Sequence, residues 1–221
     1  MIVDAHIHIG EIAAFDDLDP SVDAVLALMD ALGIDVCIQM PTAGIFGCLE
    51  EAYRVGVDAY KRSNGRLVYG LVYDPRYPDA SMAWFRKALG SPGFVTCKIH
   101  PSFHQVWPED PLYERIWRFA AEHDLPILTH SWVSSGYNPL QRFSVPHHFE
   151  HYVERFPQVR LILGHAGGRH KGHLEAVQLA RQHQNVFMDI SGDSFPLGFI
   201  EWLVEKVGAE RVLYGSDMNW C

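Results

Sequence analysis

Short apolar runs alternate with amphipathic segments along the whole chain. Runs of strand-like composition cover 2–8, 35–40, 67–73, 94–100, 125–130, 159–163, 186–190 and 211–214. They are too short and too uniformly apolar for amphipathic helices, and Gly, Pro, Asp or Asn punctuates most of their ends. Between them, helical periodicity predicts helices over 20–32, 47–63, 79–89, 111–123, 146–156, 171–182 and 196–207. The first carries its own start signal, with Asp19 as expected N-cap and Pro20 at the first helical position, and Gly33 ends it. Loops are expected at 102–110 and 131–141.

Strands that alternate with helices and are nearly continuous in apolar residues belong to a parallel sheet covered on both faces. Eight of them predict a closed (β/α)8 TIM barrel rather than an open doubly wound sheet. No Gly-rich phosphate loop follows the first strand, which counts against a nucleotide-binding fold. No eighth helix follows the last strand, so the expected barrel lacks its last helix. No linker or composition shift divides the chain, which reads as a single domain over 1–221.

In such a barrel the strand C-termini build the active site. The polar residues of this chain gather there. Strand residues two apart share a face, so His6 and His8 project together, with Asp4 on their side. Lys98 and His100 repeat that spacing at the end of the fourth strand. The fifth ends in His130, the sixth runs into His165, and Asp217 follows the eighth. Any one of these has a plain explanation as a loop or capping residue. Together they put ionisable groups from five strands on one rim, and imidazoles with one carboxylate make a donor set for a divalent metal that keeps a position open. Asp189 and Asp193 flank the end of the seventh strand. Asp189 is either a partner for a ligand histidine or a turn residue, and Asp193 reads as a turn residue. The loops add His104, Trp107, Trp132, Tyr137 and Arg142, and Arg169 follows the glycines after His165. Apolar walls with a few polar groups suit a small organic ligand, and Arg169 suits a carboxylate on it.

Composition narrows the function. A formal net charge of −9 excludes the basic face that nucleic acid or an anionic membrane requires. The short apolar start runs straight into Asp4, so no secretory signal is expected, and no apolar stretch approaches a membrane span. The four cysteines, Cys37, Cys48, Cys97 and Cys221, have neither zinc-knuckle nor disulfide-framework spacing, so a reducing, cytoplasmic setting is expected.

Asp4-Ala5-His6-Ile7-His8, Lys98-Ile99-His100-Pro101, Leu128-Thr129-His130, Gly164-His165-Ala166-Gly167-Gly168 and Gly215-Ser216-Asp217, in that order, resemble the amidohydrolase superfamily. Within it they resemble the amidohydrolase-related branch that includes aminocarboxymuconate-semialdehyde decarboxylase, resorcylate-type decarboxylases and lactone hydrolases. The resemblance covers nearly the whole chain. It implies His6, His8, His130 and Asp217 as metal ligands, with Asp217 also handling a water proton. It implies His165 as a catalytic or polarising histidine, or a further ligand. Lys98 stands where some superfamily members carry a carboxylated lysine between two metals. The single-metal branch favours it instead as a substrate-binding cation, beside His100, Trp132 and Arg169, with pairing to Asp4 or Asp217 as the structural alternative. The cofactor expected is one Zn2+, with Mn2+ or a second metal as alternatives. The expected function is a metal-dependent hydrolase in which activated water attacks the carbonyl of a small carboxylated ester, lactone or amide. The alternatives are a non-oxidative decarboxylase of an aromatic or unsaturated acid and a non-catalytic metal-binding protein. A small-molecule substrate is the expected partner, and a homodimer is compatible with the missing helix.

Overall fold

The structure is a computed structural model and describes residues 1–11, 19–192 and 196–218. The eight expected strands form one parallel sheet in sequential order: β1 (Val3–Ile9), β2 (Val36–Pro41), β3 (Leu67–Val72), β4 (Phe94–Ile99), β5 (Ile127–His130), β6 (Leu161–Gly164), β7 (Val186–Asp189) and β8 (Val212–Leu213). The sheet closes on itself. Ala5 N donates to Tyr214 O (2.9 Å), Asp217 N to His6 O (2.8 Å) and His8 N to Met218 O (3.1 Å), and Ile7 bridges Met218 in parallel. Gly70 shows how tightly the barrel wall packs. A Cβ there would lie 2.6 Å from Met40 Sδ and from Thr96 Cγ2, so only glycine fits beside them.

Around the barrel run α1 (Val22–Leu32), α2 (Thr42–Ile45), α3 (Leu49–Arg62), α4 (Pro78–Leu89), α5 (Pro101–His104), α6 (Glu114–Glu122), α7 (Glu150–Arg155), α8 (His170–Gln182) and α9 (Phe199–Val207). Several boundaries differ from the sequence reading, each for a local reason. Ser21, not Asp19, caps α1 by accepting from Ala24 N, while Asp19 accepts from Ser21 N. The helix expected over 47–63 begins only at Leu49, because Gly47 takes a left-handed conformation (φ +84°), and an unexpected short helix, α2, precedes it. Helices 111–123 and 146–156 each open with a proline-led 3-10 turn, Pro111–Tyr113 and Pro146–Phe149. The last helix starts at Phe199, because Gly198 takes the left-handed conformation. Strand β4 stops at Ile99. His100 instead caps α5, its Nδ1 accepting from Phe103 N, inside a stretch expected to be loop. Among the described residues no helix follows β8 and none is long and apolar enough to cross a membrane. Asp193 and Cys221 lie outside the described residues.

The core is the belt between sheet and helices. Its largest fully buried side chain is Trp117 on α6, whose ring stacks on Tyr152 at 5.6 Å and Phe156 at 6.1 Å. Trp117→Ala leaves a cavity that this packed belt cannot close. Equilibrium urea unfolding is expected to show a loss of ~3–5 kcal/mol. A loss below ~1 kcal/mol would mean that α6 and α7 collapse into the space.

Candidate metal centre

The centre is built from the strand ends. In β1 the pairing with β2 shifts between Asp4 and Ile7, where His6 lies, and resumes with His8 opposite Met40; both histidines are buried. Each ring is held by its Nδ1. His6 Nδ1 lies 2.9 Å from Asp189 Oδ2, and His8 Nδ1 lies 3.1 Å from the Met40 carbonyl. Both partners only accept, so each Nδ1 carries the proton and each Nε2 keeps its lone pair. Those lone-pair nitrogens meet at Asp217, whose Oδ1 is 3.2 Å from His8 Nε2 and 3.6 Å from His6 Nε2. Asp217 takes a left-handed backbone, φ +57°, held there by the bond from its N to His6 O. The carboxylate at the far end of the sequence is thus anchored to the histidine strand. Asp4 does not join the donors. Its Oδ1 accepts from His6 N and Ser216 N, both at 3.1 Å, and so braces the loop that carries Asp217.

His165 approaches from the other side. Its own φ is +62°, and Gly164 before it has no room for a side chain: a Cβ there would lie 2.8 Å from Thr129 O and 3.2 Å from the His6 ring. Asp189 ties this loop to β1, because its Oδ1 accepts from His165 N (2.9 Å), Ser191 N (3.0 Å) and Ser191 Oγ (2.5 Å). Ser191 Oγ also stands 2.9 Å from His165 Nδ1. The donor atoms therefore fall into two groups that share His6: His6, His8 and Asp217, and His6, His165 and Asp189. His130, expected as a ligand, is in neither. Its Nδ1 lies 3.2 Å from His165 Nε2, and its Nε2 lies 2.9 Å from Gln141 Oε1. Lys98 is buried, with Nζ 3.0 Å from His6 Nε2.

Above these groups opens a cavity of about 820 Å³. It is lined by all four residues assigned to substrate in the sequence, Lys98, His100, Trp132 and Arg169, together with His130, His165 and Asp217. The 131–141 segment adds Ser135, Tyr137, Asn138 and Gln141. The His130 ring lies parallel to His100 (4.3 Å, 7°) and to Trp132 (6.2 Å, 8°). Trp107 and Arg142 do not line the cavity; they pack on Phe143.

Residues 3–221 match the family model for amidohydrolases. The chain belongs to the amidohydrolase family. No curated protein matches it in sequence. Its fold is similar to that of 2,6-dihydroxybenzoate decarboxylase from Rhizobium, with TM-score 0.77, 16% identity, and coverage of 99% of this chain and 88% of that one. It is also similar to 5-carboxyvanillate decarboxylase from Novosphingobium aromaticivorans, solved with manganese and 4-hydroxy-3-methoxy-5-nitrobenzoic acid (TM-score 0.75, 17% identity, 100% and 86% covered). A third is 4-oxalomesaconate hydratase from Rhodopseudomonas palustris (TM-score 0.69, 16% identity, 99% and 82% covered). At such identities the likeness is one of fold.

The electrostatics of this amidohydrolase fit a divalent cation. Burial pushes His6 and His8 below the usual histidine range and His165 down to about 4, which keeps the imidazoles neutral as ligands must be. Burial alone would raise the Asp217 carboxyl, yet it lies well below the usual carboxylate range, so the group is ionised. Burial also brings the Lys98 ammonium down to about 8, against the pull of Asp217 and Asp189. Within the two donor groups, the carboxylates of Asp189 and Asp217 outnumber the one neighbouring lysine, Lys98, and this excess negative charge suits a dication.

His104 stays apart from this chemistry. It is buried behind the rim, its Nε2 3.9 Å from Asp74 Oδ2, and Arg76 already binds both oxygens of Asp74. Burial drives the His104 imidazole from 6.5 to about 4. The unfolded chain therefore binds a proton that the folded one refuses, and stability falls as pH drops from about 6.5 to about 4. The full contribution is roughly 3 kcal/mol. Unfolding free energies at pH 7 and pH 5 are expected to differ less in His104→Gln than in wild type. Equal pH dependence would assign the effect to other groups.

Two members of this network carried no sequence signal, Ser191 and Gln141. Ser191 follows β7 and meets His6 and His165, and Gln141, on the 3-10 segment Pro139–Ser144, meets His130.

Proposed function

We propose that the protein is a metal-dependent, non-oxidative decarboxylase of a small planar aromatic or unsaturated acid. This places carbon–carbon cleavage ahead of the hydrolysis expected from the sequence. The observation that carries it is the shape of the cavity. Near-parallel rings of His100, His130 and Trp132 form one wall, and Lys98 and Arg169 supply positive charge beside the donor cluster. A flat acid satisfies both features, its ring against the wall and its anionic groups on the cations. The decarboxylase activities of two similarly folded proteins support the same reading.

His6, His8 and Asp217 would hold one divalent ion, Zn2+ or Mn2+, with His130 or His165 completing the set. Such an ion supplies Lewis acidity toward a substrate oxygen. The chain supplies the rest. Lys98 and Arg169 orient the acid, and the cavity wall keeps water from the reacting carbon. The carbon–carbon bond breaks, its electron pair stays on the substrate carbon, and carbon dioxide departs. One proton, drawn from solvent and passed by Asp217 or His165, replaces it.

The test is a panel of hydroxybenzoates, vanillate-type acids and muconate-type acids assayed for carbon dioxide release, run beside lactones and esters assayed for hydrolysis. Carbon dioxide release with intact lactones is expected. Lactone or ester hydrolysis without carbon dioxide release would restore the hydrolase reading.

A further inference from the structure

The plane and the rotation of the His130 ring are set by different contacts. The parallel contacts with His100 and Trp132 fix the plane. Stacking is nearly indifferent to a half-turn of the imidazole about its Cβ–Cγ bond, which exchanges nitrogens with carbons. Only bonds in the ring plane distinguish the two states. One is the 3.2 Å contact of Nδ1 with His165 Nε2, and the other is the 2.9 Å contact of Nε2 with the Gln141 carboxamide. His165 is itself engaged by Ser191 and buried in the centre. Gln141 comes from outside it, on the 3-10 segment Pro139–Ser144, and lines the cavity.

We propose that Gln141 is the positioning residue for His130, its carboxamide holding Nε2 so that Nδ1 stays turned toward His165. This rests on the reading above that His130 serves the centre. A carboxamide suits the task because it offers oxygen to an N–H or NH2 to a lone pair, and so holds the ring in either tautomer. It also joins the segment that borders the substrate to the donor cluster. A ligand pressing on Asn138 or Tyr137 would act on His130 through it.

Gln141→Met keeps the side-chain length and deletes the hydrogen bond. Two readouts are compared in the Zn2+-loaded protein: the side-chain 15N resonances of His130, and kcat against KM on whichever substrate the panel identifies. The expected result is a single ring state in wild type and shifted or averaged His130 resonances in the variant, with those of His6 and His8 unmoved. kcat is expected to fall ~10–100-fold, the range for removing a group that orients a ligand, with KM little changed. Unmoved His130 resonances, or a rise in KM at constant kcat, would make Gln141 a plain substrate contact and overturn the proposal. Should the variant not fold, wild type still decides: an averaging His130 ring there refutes the role. Failure of the decarboxylase reading leaves the 15N comparison intact, so the two are separable.

Discussion

Asp217→Asn is expected to lower kcat by ~10²–10⁴-fold, the span associated with a positioned proton-transfer group, while the far-ultraviolet circular dichroism stays that of wild type. Its backbone is fixed by main-chain bonds to His6 and the neighbouring Met218–His8 bond, none of which needs the side-chain charge. Its side chain faces His8 Nε2 at 3.2 Å and His6 Nε2 at 3.6 Å. An amide of the same shape keeps the packing but removes the negative charge that a dication and a proton both require. It can also turn its NH2 toward the imidazole lone pairs, where a metal would have to sit. Elemental analysis is expected to show substoichiometric metal in the same preparation. Full turnover by Asp217→Asn would refute the role given to it.

Asp189→Ala is expected to reach further, because this carboxylate holds two loops and the His6 ring at once. It accepts from His6 Nδ1, from the backbone of His165 and Ser191, and from Ser191 Oγ. Interactions with His6 and His165 overcome its burial and keep it ionised. Its loss leaves several buried donors without an acceptor, at about 1–3 kcal/mol each. Chemical unfolding should show a total loss of about 3 kcal/mol or more. His6 would lose the partner that fixes its tautomer, and metal affinity should fall ~10–100-fold. A variant with wild-type stability and metal content would reduce Asp189 to a turn residue.

Much of this site was legible in the sequence. His6 and His8 two apart, Lys98 at a strand end, and His130, His165 and Asp217 after later strands are all local signals. The barrel architecture turns them into one rim. Lys98, His100, Trp132 and Arg169, expected from the sequence to meet substrate, line one cavity. The helix starts were less legible, because glycines in left-handed conformations at 47 and 198 delay helices that their periodicity would begin at 47 and 196.

The sequence by itself determined the alternation of eight strands with helices, the face on which the ionisable residues stand and the family resemblance. These follow from periodicity and from residues near one another in the chain. Tertiary structure alone decided the contacts within the rim. It turned Asp189 from one of two readings into the partner of His6, 183 positions away, and drew in Ser191 and Gln141. It put His130 beside His165 instead of in the His6, His8 and Asp217 group. The physical reason is that strand spacing sets which side of the sheet an imidazole leaves from. Which of its nitrogens keeps a lone pair depends on the acceptor that reaches the other nitrogen, and that acceptor comes from a distant strand or loop.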